Sequence, residues 1–398
     1  MILTAKQELG LKIAVDRYKA REAYTCIAGY AGTGKSTLIK FIVAALEIPP
    51  EEVAYIAYTG KATTVLASKG CLNAITAHKF LYDAYMDNED GKVKFKPKET
   101  LDDNYKLIVV DEVSMIPAGM WRRLLTHKIH VLACGDPGQL PPICADDDNQ
   151  ILNEPHVFLD EVMRQAQDSE IIRLSMHIRD GGTLANYNGT GEQVKVITTR
   201  EVHQGMYQWA DQILCATNGY RSKINNHVRQ QKGFGPEPQI GDKIISLRNQ
   251  WDFCSNEEKF PLINGTIGVI ESCSPPITIW PPRYISKAPL YYCYTNMVVD
   301  DKEHYNKIPV DYVYLKSETP QLDQYAFSQL LKNKSFKHEP PFEFAYAYAI
   351  TTWKAQGSEW DKVMGFEEDF PYVKKEHQRF IYTMVTRAAK KLIMIKKP

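Results

Sequence analysis

The sequence predicts an α/β protein with two parallel-sheet domains and a β-rich insertion. Short apolar runs alternate with helical stretches in the first 155 residues and again after residue 340. That alternation is typical of strands buried on both faces of a parallel sheet. A glycine-rich turn joins the first apolar run to a helix. Residues 241–316 instead carry short alternating runs separated by Pro and Gly clusters, as in a small β-barrel.

The first domain is expected to span residues 1–155. Its predicted strands are the apolar runs at residues 24–28, 53–58, 107–111 and 130–134. The second domain is expected to comprise residues 156–240 and 341–398. Its predicted elements are a strand at 212–217 that runs into a helix, a strand at 345–352, a helix at 378–389 and a final strand at 392–395.

Two insertions interrupt these domains. In the β module, expected at residues 241–340, the predicted strands are 243–247, 266–270, 277–280, 291–299 and 310–315. A β-hairpin is expected at residues 83–104, because lysine occupies every second position from Lys92 to Lys98 (Lys92, Lys94, Lys96 and Lys98). A period of two places these lysines on one face of a strand. That face is either a solvated, charged edge or a contact surface for nucleic acid.

The composition, with 44% hydrophobic and 24% charged residues in 398, indicates a soluble globular protein of several domains. No apolar run approaches the roughly 18 residues of a membrane span, and the N-terminus lacks a signal segment. A cytoplasmic protein without a membrane partner is therefore expected. The eight cysteines form no C-x-x-C pair, which argues against a zinc site. The 48 basic and 48 acidic residues cancel, so a polyanion would have to bind a local basic groove.

Residues 29–36 read G-x-x-x-x-G-K-S, the pattern of a phosphate-binding loop. Glycines allow a tight turn whose N–H groups point at phosphate oxygens, and the predicted helix at 36–46 directs its N-terminus at the same anion. Lys35 would place positive charge on the β- and γ-phosphates, and the Ser36 hydroxyl is a candidate ligand for Mg²⁺. The candidate nucleotide-binding residues of this segment are Gly32, Thr33, Gly34, Lys35, Ser36 and Thr37.

A second chemical signal is the pair of carboxylates that ends the apolar run before residue 111. In an enzyme with a phosphate-binding loop, the first carboxylate (Asp111) holds Mg²⁺ through water. The second (Glu112) can polarise the attacking water. Glu112 separates the reaction classes, because a kinase needs no carboxylate to activate water.

In this setting the chain resembles the superfamily 1 helicases, and in particular their RecD and Dda branch. Residues 111–115 (DEVSM) and 135–142 (GDPGQLPP) are similar to motifs II and III. Further similarities follow in the family's order: residues 3–7 to the Q motif, 57–62 to motif Ia, 76–78 to the next strand-contact motif, 159–165 to motif IV, 264–268 to the opening of the SH3-like module, 348–359 to motif V and 382–388 to motif VI. The resemblance therefore spans nearly the whole chain.

The resemblance implies two RecA-like P-loop NTPase domains, with the β-hairpin inserted in the first and an SH3-like β-barrel inserted in the second. It implies an ATP hydrolase that uses Mg²⁺, moves 5′→3′ on single-stranded DNA and separates duplex DNA. The implied partners are single-stranded DNA, forked or tailed duplex DNA, and replication or recombination proteins. By analogy, we expect a monomer in the cytoplasm of a bacterial or phage-infected cell, associated with the nucleoid through DNA.

The resemblance also assigns roles to residues. In nucleotide binding, Gln7 would read adenine, Gly357 would contact the nucleotide, and Ser36 and Asp111 would hold the metal. In catalysis, Glu112 would act on water and Gln139 would sense the γ-phosphate, while Arg164 and Arg387 would stabilise charge from the far domain. The implied nucleic-acid contacts are Thr59, Lys61, Thr76, His78, Asn218, Arg221, Thr351, Trp353 and Lys354, together with Phe95 of the hairpin.

For three of these residues the sequence allows two different roles. Trp353 stands where the family usually has histidine in motif V, so it either stacks on a base, a contact of about 1–3 kcal/mol, or fills a packing position. Phe95 is either the apolar tip of a strand-separating wedge at residues 83–98 or a packing residue. His78 is either a contact to the strand or an ordinary hydrogen-bonded histidine.

Other functions remain open at this point. Grooves that track a nucleic-acid backbone say little about the sugar, so an RNA-directed helicase is an alternative. A single-strand-stimulated ATPase that translocates or displaces proteins without unwinding is another. A small-molecule phosphotransferase is disfavoured, because it leaves Gln139, the second α/β domain and the β insertion unexplained.

Overall fold

The structure, a computed structural model, describes residues 3–68, 70–71, 73–86, 93–101, 104–141, 150–163, 168–256, 261–300, 302–333 and 340–397. By their internal contacts these residues form two units. The first unit consists of residues 1–81, 99–221 and 350–398, and the second of residues 82–98 and 222–349.

The first part of the chain forms a six-stranded parallel sheet and a separate hairpin. The strands up to residue 163 are β1 (Tyr24–Gly29), β2 (Val53–Ala57), β3 (Ala74–Thr76), β4 (Tyr82–Met86), β5 (Val93–Pro97), β6 (Leu107–Val110), β7 (His130–Gly135) and β8 (Val157–Leu159). The helices are α1 (Ala5–Lys19), α2 (Lys35–Ala45), α3 (Gly60–Ser68), α4 (Ala77–Leu81) and α5 (Ala118–Thr126). The sheet order is β3-β2-β6-β7-β1-β8.

This first sheet is buried because its strands are almost entirely apolar. Residues such as Ile27 on β1, Val109 on β6 and Leu132 on β7 form one core with Leu38 and Ile42 of α2. β6, β7 and β1 are neighbours and run parallel, so their carboxyl ends meet at one edge of the sheet.

The second part of the chain begins with α6 (Glu170–Arg179), β9 (Val194–Thr198), α7 (Gln204–Trp209), β10 (Gln212–Cys215) and α8 (Asn218–Gln231). It ends with elements that complete the same sheet. Between them lie β11 (Lys243–Ser246), β12 (Gln250–Cys254), β13 (Pro261–Leu262), β14 (Ile267–Cys273), β15 (Ile277–Ile279), β16 (Leu290–Val299), β17 (Glu303–Asp311), α9 (Tyr312–Ser317), α10 (Gln324–Lys332) and β18 (Phe344–Tyr346). The closing elements are β19 (Ala349–Thr351), α11 (Thr352–Ala355), β20 (Trp360–Phe366), α12 (Lys374–Val385) and β21 (Ala388–Lys396).

These elements form a five-stranded sheet and an antiparallel β module. The five-stranded sheet has the order β19-β10-β20-β21-β9, and its neighbours from β10 to β9 are parallel. The β module has the order β15-β16-β14-β11-β18, with β17 also paired to β16. Short 3₁₀ helices lie at Pro50–Glu52, Val113–Met115, Gln150–Leu152, Leu184–Asn186 and Thr199–Glu201.

The predicted parallel strands of both domains are present, but four further strands of these two sheets, as described, were not predicted. These are β3, β8, β9 and β20. β8 pairs with β1, so the first sheet extends past the predicted boundary at residue 155. The remaining domain boundaries stay predictions.

Three predicted elements are wrong in extent. The single strand at 345–352 is divided between two sheets, because β18 pairs with β11 of the β module whereas β19 belongs to the five-stranded sheet. Of the strand predicted at 310–315, Val310 and Asp311 end β17. Residues 312–315 are helical instead, since the Asp311 carboxylate accepts the Tyr314 N–H (2.8 Å) and caps α9. The helix at 378–389 begins and ends four residues earlier, and β21 begins at Ala388.

The predicted hairpin is present as the antiparallel pair β4 and β5, in which Tyr82 faces Pro97 and Met86 faces Val93. Lys92 and the side chains of Lys94 and Phe95 lie outside the described residues. Lys96 is exposed, but the Lys98 side chain is only 14% exposed and its Nζ lies 3.9 Å from Asp83 Oδ1. Lys98 thus follows the end of β5 and is partly buried, and the two alternatives for the lysine face stay open.

A buried ion pair fixes α8 to the β module in the second unit. Arg229 binds Asp242 through two hydrogen bonds of 2.8 and 3.0 Å, and its guanidinium lies 4.0 Å from the centre of the Tyr346 ring. The fully buried Asp242 also accepts the Tyr348 hydroxyl (3.0 Å). Because the charges are paired and hydrogen-bonded, removing either partner would leave an uncompensated buried charge.

Among the helices of the described ranges, none combines the length and the apolar character that crossing a bilayer requires.

Asp311 makes the stability of the second unit depend on pH. Burial raises the pKa of this carboxyl to about 6. Between the unfolded pKa and that value the folded chain binds the extra proton, so this group's contribution to stability falls as the pH rises from about 4 to 6. Asp311→Asn should therefore gain stability relative to the original chain across this range, by up to about 3 kcal/mol. Urea unfolding followed between pH 4 and 7.5 measures the difference.

Asp323 offers the matched control. It caps α10 through the Ala326 N–H (2.7 Å) as Asp311 caps α9, but its side chain is exposed. Asp323→Asn should produce a difference that stays nearly constant over the same pH range. A constant difference for Asp311→Asn as well would contradict the assignment.

Candidate active site

The phosphate-binding loop lies between β1, which ends at Gly29, and α2, which begins at Lys35. Gly32 and Gly34 adopt left-handed backbone angles, with φ of 76° and 80°. A β-carbon on Gly34 would also clash with the Gln7 amide, so this position requires glycine on both grounds. The loop thereby directs the N-terminal N–H groups of α2 toward one anion site.

The side chains of the loop are organised around one backbone carbonyl. Lys35 Nζ and Thr33 Oγ1 each donate a hydrogen bond of 2.8 Å to the Tyr30 carbonyl oxygen. Thr33 is buried, whereas Ser36 is exposed in the first turn of α2 and Thr37 follows it. This arrangement holds the Lys35 ammonium over the loop, where a phosphate group would lie.

Gln7 is the third residue of α1 and is buried against the loop. Its Oε1 accepts the Thr4 N–H (3.0 Å), completing a capping box, and its Nε2 donates to the Thr33 carbonyl (3.2 Å). Both ends of the amide are therefore engaged with protein in this conformation. Recognition of adenine by Gln7 stays a prediction.

Three carboxylates lie at the carboxyl ends of β6 and β7, beside the loop. Asp111 follows β6 and accepts the Glu112 N–H through Oδ1 (3.0 Å). Glu112 has a φ of 51°, a left-handed conformation that is unusual for a side chain of this size and typical of strained functional positions. Asp136 follows β7 and is almost fully buried.

Arg387, from the end of α12, reaches Glu112. Its Nη1 lies 3.9 Å from Glu112 Oε1, and hydrogen bonds to the carbonyl oxygens of Thr383 (3.1 Å) and Ser358 (3.2 Å) fix the guanidinium. Burial is the main influence on Glu112 and raises its pKa, while Arg387 lowers it. The prediction that Arg387 approaches the catalytic edge from the second sheet agrees with this geometry.

Tyr382 joins the two sheets at the same edge, and the sequence analysis missed it. Its hydroxyl accepts the Ala31 N–H of the loop (2.9 Å) and donates to Asp136 Oδ2 (2.8 Å). Burial raises the pKa of this hydroxyl, so it remains protonated. The available signal was its place in the motif VI segment, five residues before Arg387.

Two further hydrogen bonds cross between the sheets beside Tyr382. The Leu140 N–H donates to Thr383 Oγ1 (2.9 Å), and Gln356 Nε2 donates to the Leu140 carbonyl (2.7 Å). The segment that carries Gln139 is thus held from both sides. Gln139 itself is 8% exposed, and its Oε1 has no hydrogen-bond partner within the described ranges.

Arg179 is a second residue that was not predicted. It ends α6, and its guanidinium lies 4.3 Å from the centre of the Tyr30 ring in the phosphate-binding loop. Asp180 Oδ1 accepts a hydrogen bond from Arg179 Nε (2.7 Å). No motif marked this arginine. Arg164, which was predicted for this role, lies outside the described residues.

Gly357 packs against the start of α3 in the first domain. A β-carbon there would lie 2.9 Å from Ala62 Cβ and 3.5 Å from Thr59 Oγ1. One of these two neighbours, Thr59, was predicted to contact nucleic acid, and the role of Gly357 in nucleotide binding stays a prediction.

The predicted nucleic-acid contacts of the first domain have structural roles in helix capping. Thr59 Oγ1 accepts the Ala62 N–H (3.3 Å) at the start of α3, and Thr76 Oγ1 accepts the Lys79 N–H (3.3 Å) at the start of α4. Burial lowers the pKa of His78, which keeps it neutral near pH 7, and its ring lies 5.6 Å from Tyr58. The Lys61 side chain lies outside the described residues.

In the second domain the predicted contacts divide into exposed and buried residues. Asn218 and Lys354 are exposed, and Thr351 is 7% exposed at the end of β19. Arg221 is only 6% exposed, and its contact with nucleic acid stays a prediction.

Trp353 fills a packing position. Its ring stacks on the buried Phe380, with centroids 5.9 Å apart and planes at 22°. This contact is the one that the packing alternative expects, and stacking of Trp353 on a base stays a prediction.

The donor set at this edge suits a magnesium ion. Within the described ranges, no group of three or more His, Cys, Asp or Glu side chains could hold a metal alone. Mg²⁺ does not need such a group, because it keeps water and phosphate oxygens and binds one or two carboxylates. The Ser36 hydroxyl and the Asp111 carboxylate provide the oxygen ligands that fit it.

Family comparisons agree with this architecture. Residues 10–199 match the model of an AAA domain, and residues 346–395 match that of the UvrD-like helicase C-terminal domain. The two matches cover strands of both parallel sheets. They also include the motif residues Lys35, Asp111, Glu112 and Arg387.

Curated relatives are similar over large parts of this chain. The ATP-dependent RecD2 DNA helicase of Deinococcus radiodurans is 25% identical over 390 residues, which cover 91% of this chain and 45% of the relative. The ATP-dependent DNA helicase PIF1 of Candida albicans is 25% identical over 323 residues, covering 68% and 34%. The ATP-dependent DNA helicase dda of Enterobacteria phage T4 is 28% identical over 200 residues, covering 49% and 45%. The chain spans less than half the length of these relatives.

Solved structures of Pif1 helicases have the same fold. One, from a study of DNA unwinding at forked double-stranded DNA by two coordinating Pif1 helicases, has a TM-score of 0.58 at 16% identity and covers 99% of this chain and 92% of that chain. The Bacteroides Pif1 helicase in complex with ADP-AlF3 and single-stranded DNA has a TM-score of 0.55 at 16% identity, with the same coverage.

The loop, the carboxylates and the arginine that reaches them define the class of protein, a P-loop NTPase whose site is assembled from two RecA-like domains. Within that class, the chain is similar to the superfamily 1B helicases of the RecD, Pif1 and Dda group. The predicted family and fold class are thus confirmed. The β-hairpin and the inserted β module are consistent with the predicted insertions.

Tyr382→Phe tests the hydroxyl that joins the two domains. The substitution leaves the Ala31 N–H and the Asp136 carboxylate each short of one buried partner, so the loop and the second domain should lose their alignment. We expect ATP turnover to fall about tenfold, the equivalent of one buried hydrogen bond. Nucleotide affinity should change less than the rate. Steady-state hydrolysis and equilibrium binding of a fluorescent ATP analogue measure the two effects.

Tyr292→Phe is the matched control. Tyr292 is fully buried in the β module, and its hydroxyl has no hydrogen-bond partner among the described residues. This variant should hydrolyse ATP at the original rate. Unchanged turnover in Tyr382→Phe would show that the bridge has no catalytic consequence.

Proposed function

We propose that this chain is an ATP-dependent DNA helicase that translocates 5′→3′ on single-stranded DNA and separates duplex DNA. The observation that carries the proposal is the composite catalytic edge, where Glu112 of the first domain lies 3.9 Å from Arg387 of the second. A site divided between two domains makes hydrolysis depend on their arrangement. The names of the relatives, all DNA helicases described as ATP-dependent, support the same function.

Each residue of the edge has a role in the proposed reaction. Lys35 and the N-terminal N–H groups of α2 bind the phosphates, and Ser36 and Asp111 hold Mg²⁺, which neutralises charge on the phosphate oxygens when bound. Glu112 accepts the proton of the attacking water. Arg387 stabilises the charge that develops on the transferred phosphoryl group, as arginine fingers do in related reactions.

Hydrolysis would be converted into movement through the contacts that cross between the domains. Tyr382, Gln356 and Arg387 all bind groups at the carboxyl edge of the first sheet. A nucleotide that binds this edge more tightly in one domain arrangement shifts the population toward that arrangement. Repeated binding and hydrolysis would then alternate between two arrangements while the strand is held.

Single-stranded DNA, with forked or tailed duplex DNA, is the proposed substrate. The Pif1 structures that resemble this chain include a complex with single-stranded DNA and a study of forked double-stranded DNA. The hairpin of β4 and β5 is the proposed wedge for strand separation. Replication or recombination proteins remain proposed partners.

Unwinding of tailed duplexes tests the function and its polarity. The full chain with Mg-ATP should separate a duplex with a 5′ single-stranded tail and leave 3′-tailed and blunt duplexes intact. Separation of the 3′-tailed duplex alone would refute the polarity. If neither opens while single-stranded DNA accelerates ATP hydrolysis, the chain is a translocase or a protein remodeller. The same assays with single-stranded RNA measure whether the chain prefers deoxyribose or ribose in the strand.

Glu112→Gln tests the assignment of the catalytic base. The amide keeps the size of the side chain but cannot accept the proton of water, so hydrolysis should fall by about 100-fold or more. ATP binding should be retained. Lys35→Ala is the comparison variant, and it should lose both binding and hydrolysis because its charge contacts the phosphates. Preserved turnover in Glu112→Gln would refute the role in water activation.

The pH dependence provides a second measurement on Glu112. The ionised carboxylate is the active form, and burial raises its pKa. Hydrolysis should therefore decline as the pH falls, beginning at a higher pH than for an ordinary glutamate. The residual activity of Glu112→Gln should lack this decline.

A further inference from the structure

A short loop before α12 exposes three apolar side chains on the first unit. Phe370, Tyr372 and Val373 are 39%, 84% and 58% exposed. Pro371, between the two aromatic residues, is buried and anchors the loop. An exposed apolar cluster of this kind marks a site of interaction more often than a single exposed residue does.

The exposed rings are the end of a continuous series of aromatic contacts. The buried Phe380 stacks on Trp353, Trp353 lies 5.8 Å from Phe370, and Phe370 meets Tyr372 edge to face at 5.7 Å. This series, Phe380–Trp353–Phe370–Tyr372, is here named the aromatic ladder. Because its inner end is packed in the core, its outer rings are held in place before any ligand arrives.

Positive charge is concentrated beside the outer end of the aromatic ladder. Lys374 and Lys375 are exposed in the first turn of α12. That position is unfavourable for lysine, because the N-terminus of a helix already carries partial positive charge. The two lysines and the N–H groups of this turn together form a place where an anion would be stabilised.

The acidic residues that precede the loop are engaged within the fold. Glu367 lies 3.2 Å from His377 Nε2, Asp369 lies 3.1 Å from Lys397 Nζ, and the Glu368 carboxylate accepts hydrogen bonds from Ala216 and Thr217. Glu376 is exposed in the same first turn of α12 as Lys374 and Lys375, so that turn carries a net charge of about +1.

The aromatic ladder lies at the edge of the second sheet where the strand contacts are proposed. Trp353 and Lys354 follow the carboxyl end of β19, the loop follows the carboxyl end of β20, and Asn218 follows the adjacent β10. The carboxyl edge of an open α/β sheet is the usual place for ligands.

We propose that Phe370 and Tyr372 form a base-stacking platform for single-stranded DNA, with Lys374 and Lys375 contacting its backbone. The inference rests on the proposed function and adds a site to it. Aromatic rings beside basic side chains are the combination that binds unpaired bases and their phosphates. A protein partner would need a broad apolar surface to pack against, whereas this cluster is narrow and is bordered by lysines.

The test is the affinity for two oligonucleotides, oligo-dT and an abasic strand of equal length, measured by fluorescence anisotropy with the full chain. Tyr372→Ala should weaken binding of oligo-dT by about 5- to 150-fold, the effect of losing one stacked base. Tyr372→Phe and Tyr372→Trp should restore it, because they keep a ring. On the abasic strand, Tyr372→Ala should bind as well as the original chain.

Two controls make the result specific. Tyr325 is 60% exposed in the second unit, and Tyr325→Ala should leave both affinities unchanged. Replacing Lys374 and Lys375 with alanine should lower the affinity for both oligonucleotides. It should also reduce the slope of log K against log salt concentration by about 0.7 per lysine.

The outcomes separate this site from the proposed function. If the original chain binds neither strand, the proposed function fails. If it binds oligo-dT and Tyr372→Ala binds equally well, the platform is refuted while the function stands. Equal weakening on the abasic strand would also refute base stacking, since that strand has no bases to stack.

Discussion

The Tyr382 hydroxyl joins the second domain to two parts of the nucleotide site at once. Tyr382, from the second domain, receives the Ala31 N–H of the phosphate-binding loop and donates to Asp136 at the end of β7. Tyr382 and Asp136 are buried and Ala31 is partly buried. Leaving a buried group unpartnered would cost about 1–3 kcal/mol. The loop, the neighbouring strand end and α12 are therefore fixed by the same atom. Arg387 follows α12 directly, so its 3.9 Å approach to Glu112 depends on the position that Tyr382 gives this helix.

Sequence reasoning found the parts of the fold that have local causes. Apolar runs identified β1, β2, β6 and β7, and the glycine pattern identified a loop in which Gly32 and Gly34 require left-handed angles. It missed strands whose burial comes from their partners. β3 and β8 have only three residues each, and β20 begins with the partly exposed sequence Trp360-Asp361-Lys362. The division of residues 344–351 between two sheets depends on distant pairing with β11, which no local pattern records.

The residues of the candidate site also divide into those with a local sequence signal and those that depend on distant partners. Lys35, Asp111 and Glu112 belong to short motifs, and the structure places them at one edge because their strands are parallel neighbours. Tyr382 and Arg179 act through contacts more than 100 residues away in sequence, with Ala31 and Tyr30 respectively. The family resemblance named Thr59 and Thr76 as strand contacts, but their hydroxyls cap α3 and α4. A motif thus identifies a position without saying whether its side chain faces a ligand or its own backbone.

Helix α12 connects the two kinds of site in this chain. Its N-terminal turn carries Lys374 and Lys375 and follows the exposed Tyr372, while its C-terminal turn carries Tyr382 and leads to Arg387. Phe380, in between, is the buried base of the aromatic ladder. Twelve helical residues form a rigid element of about 18 Å, given a rise of about 1.5 Å per residue. A displacement of Tyr382 when a nucleotide binds would move the whole helix, since it cannot bend without breaking its own hydrogen bonds. The same displacement would reach the proposed base-stacking platform. The nucleotide state and the affinity for single-stranded DNA would then be coupled through α12 alone.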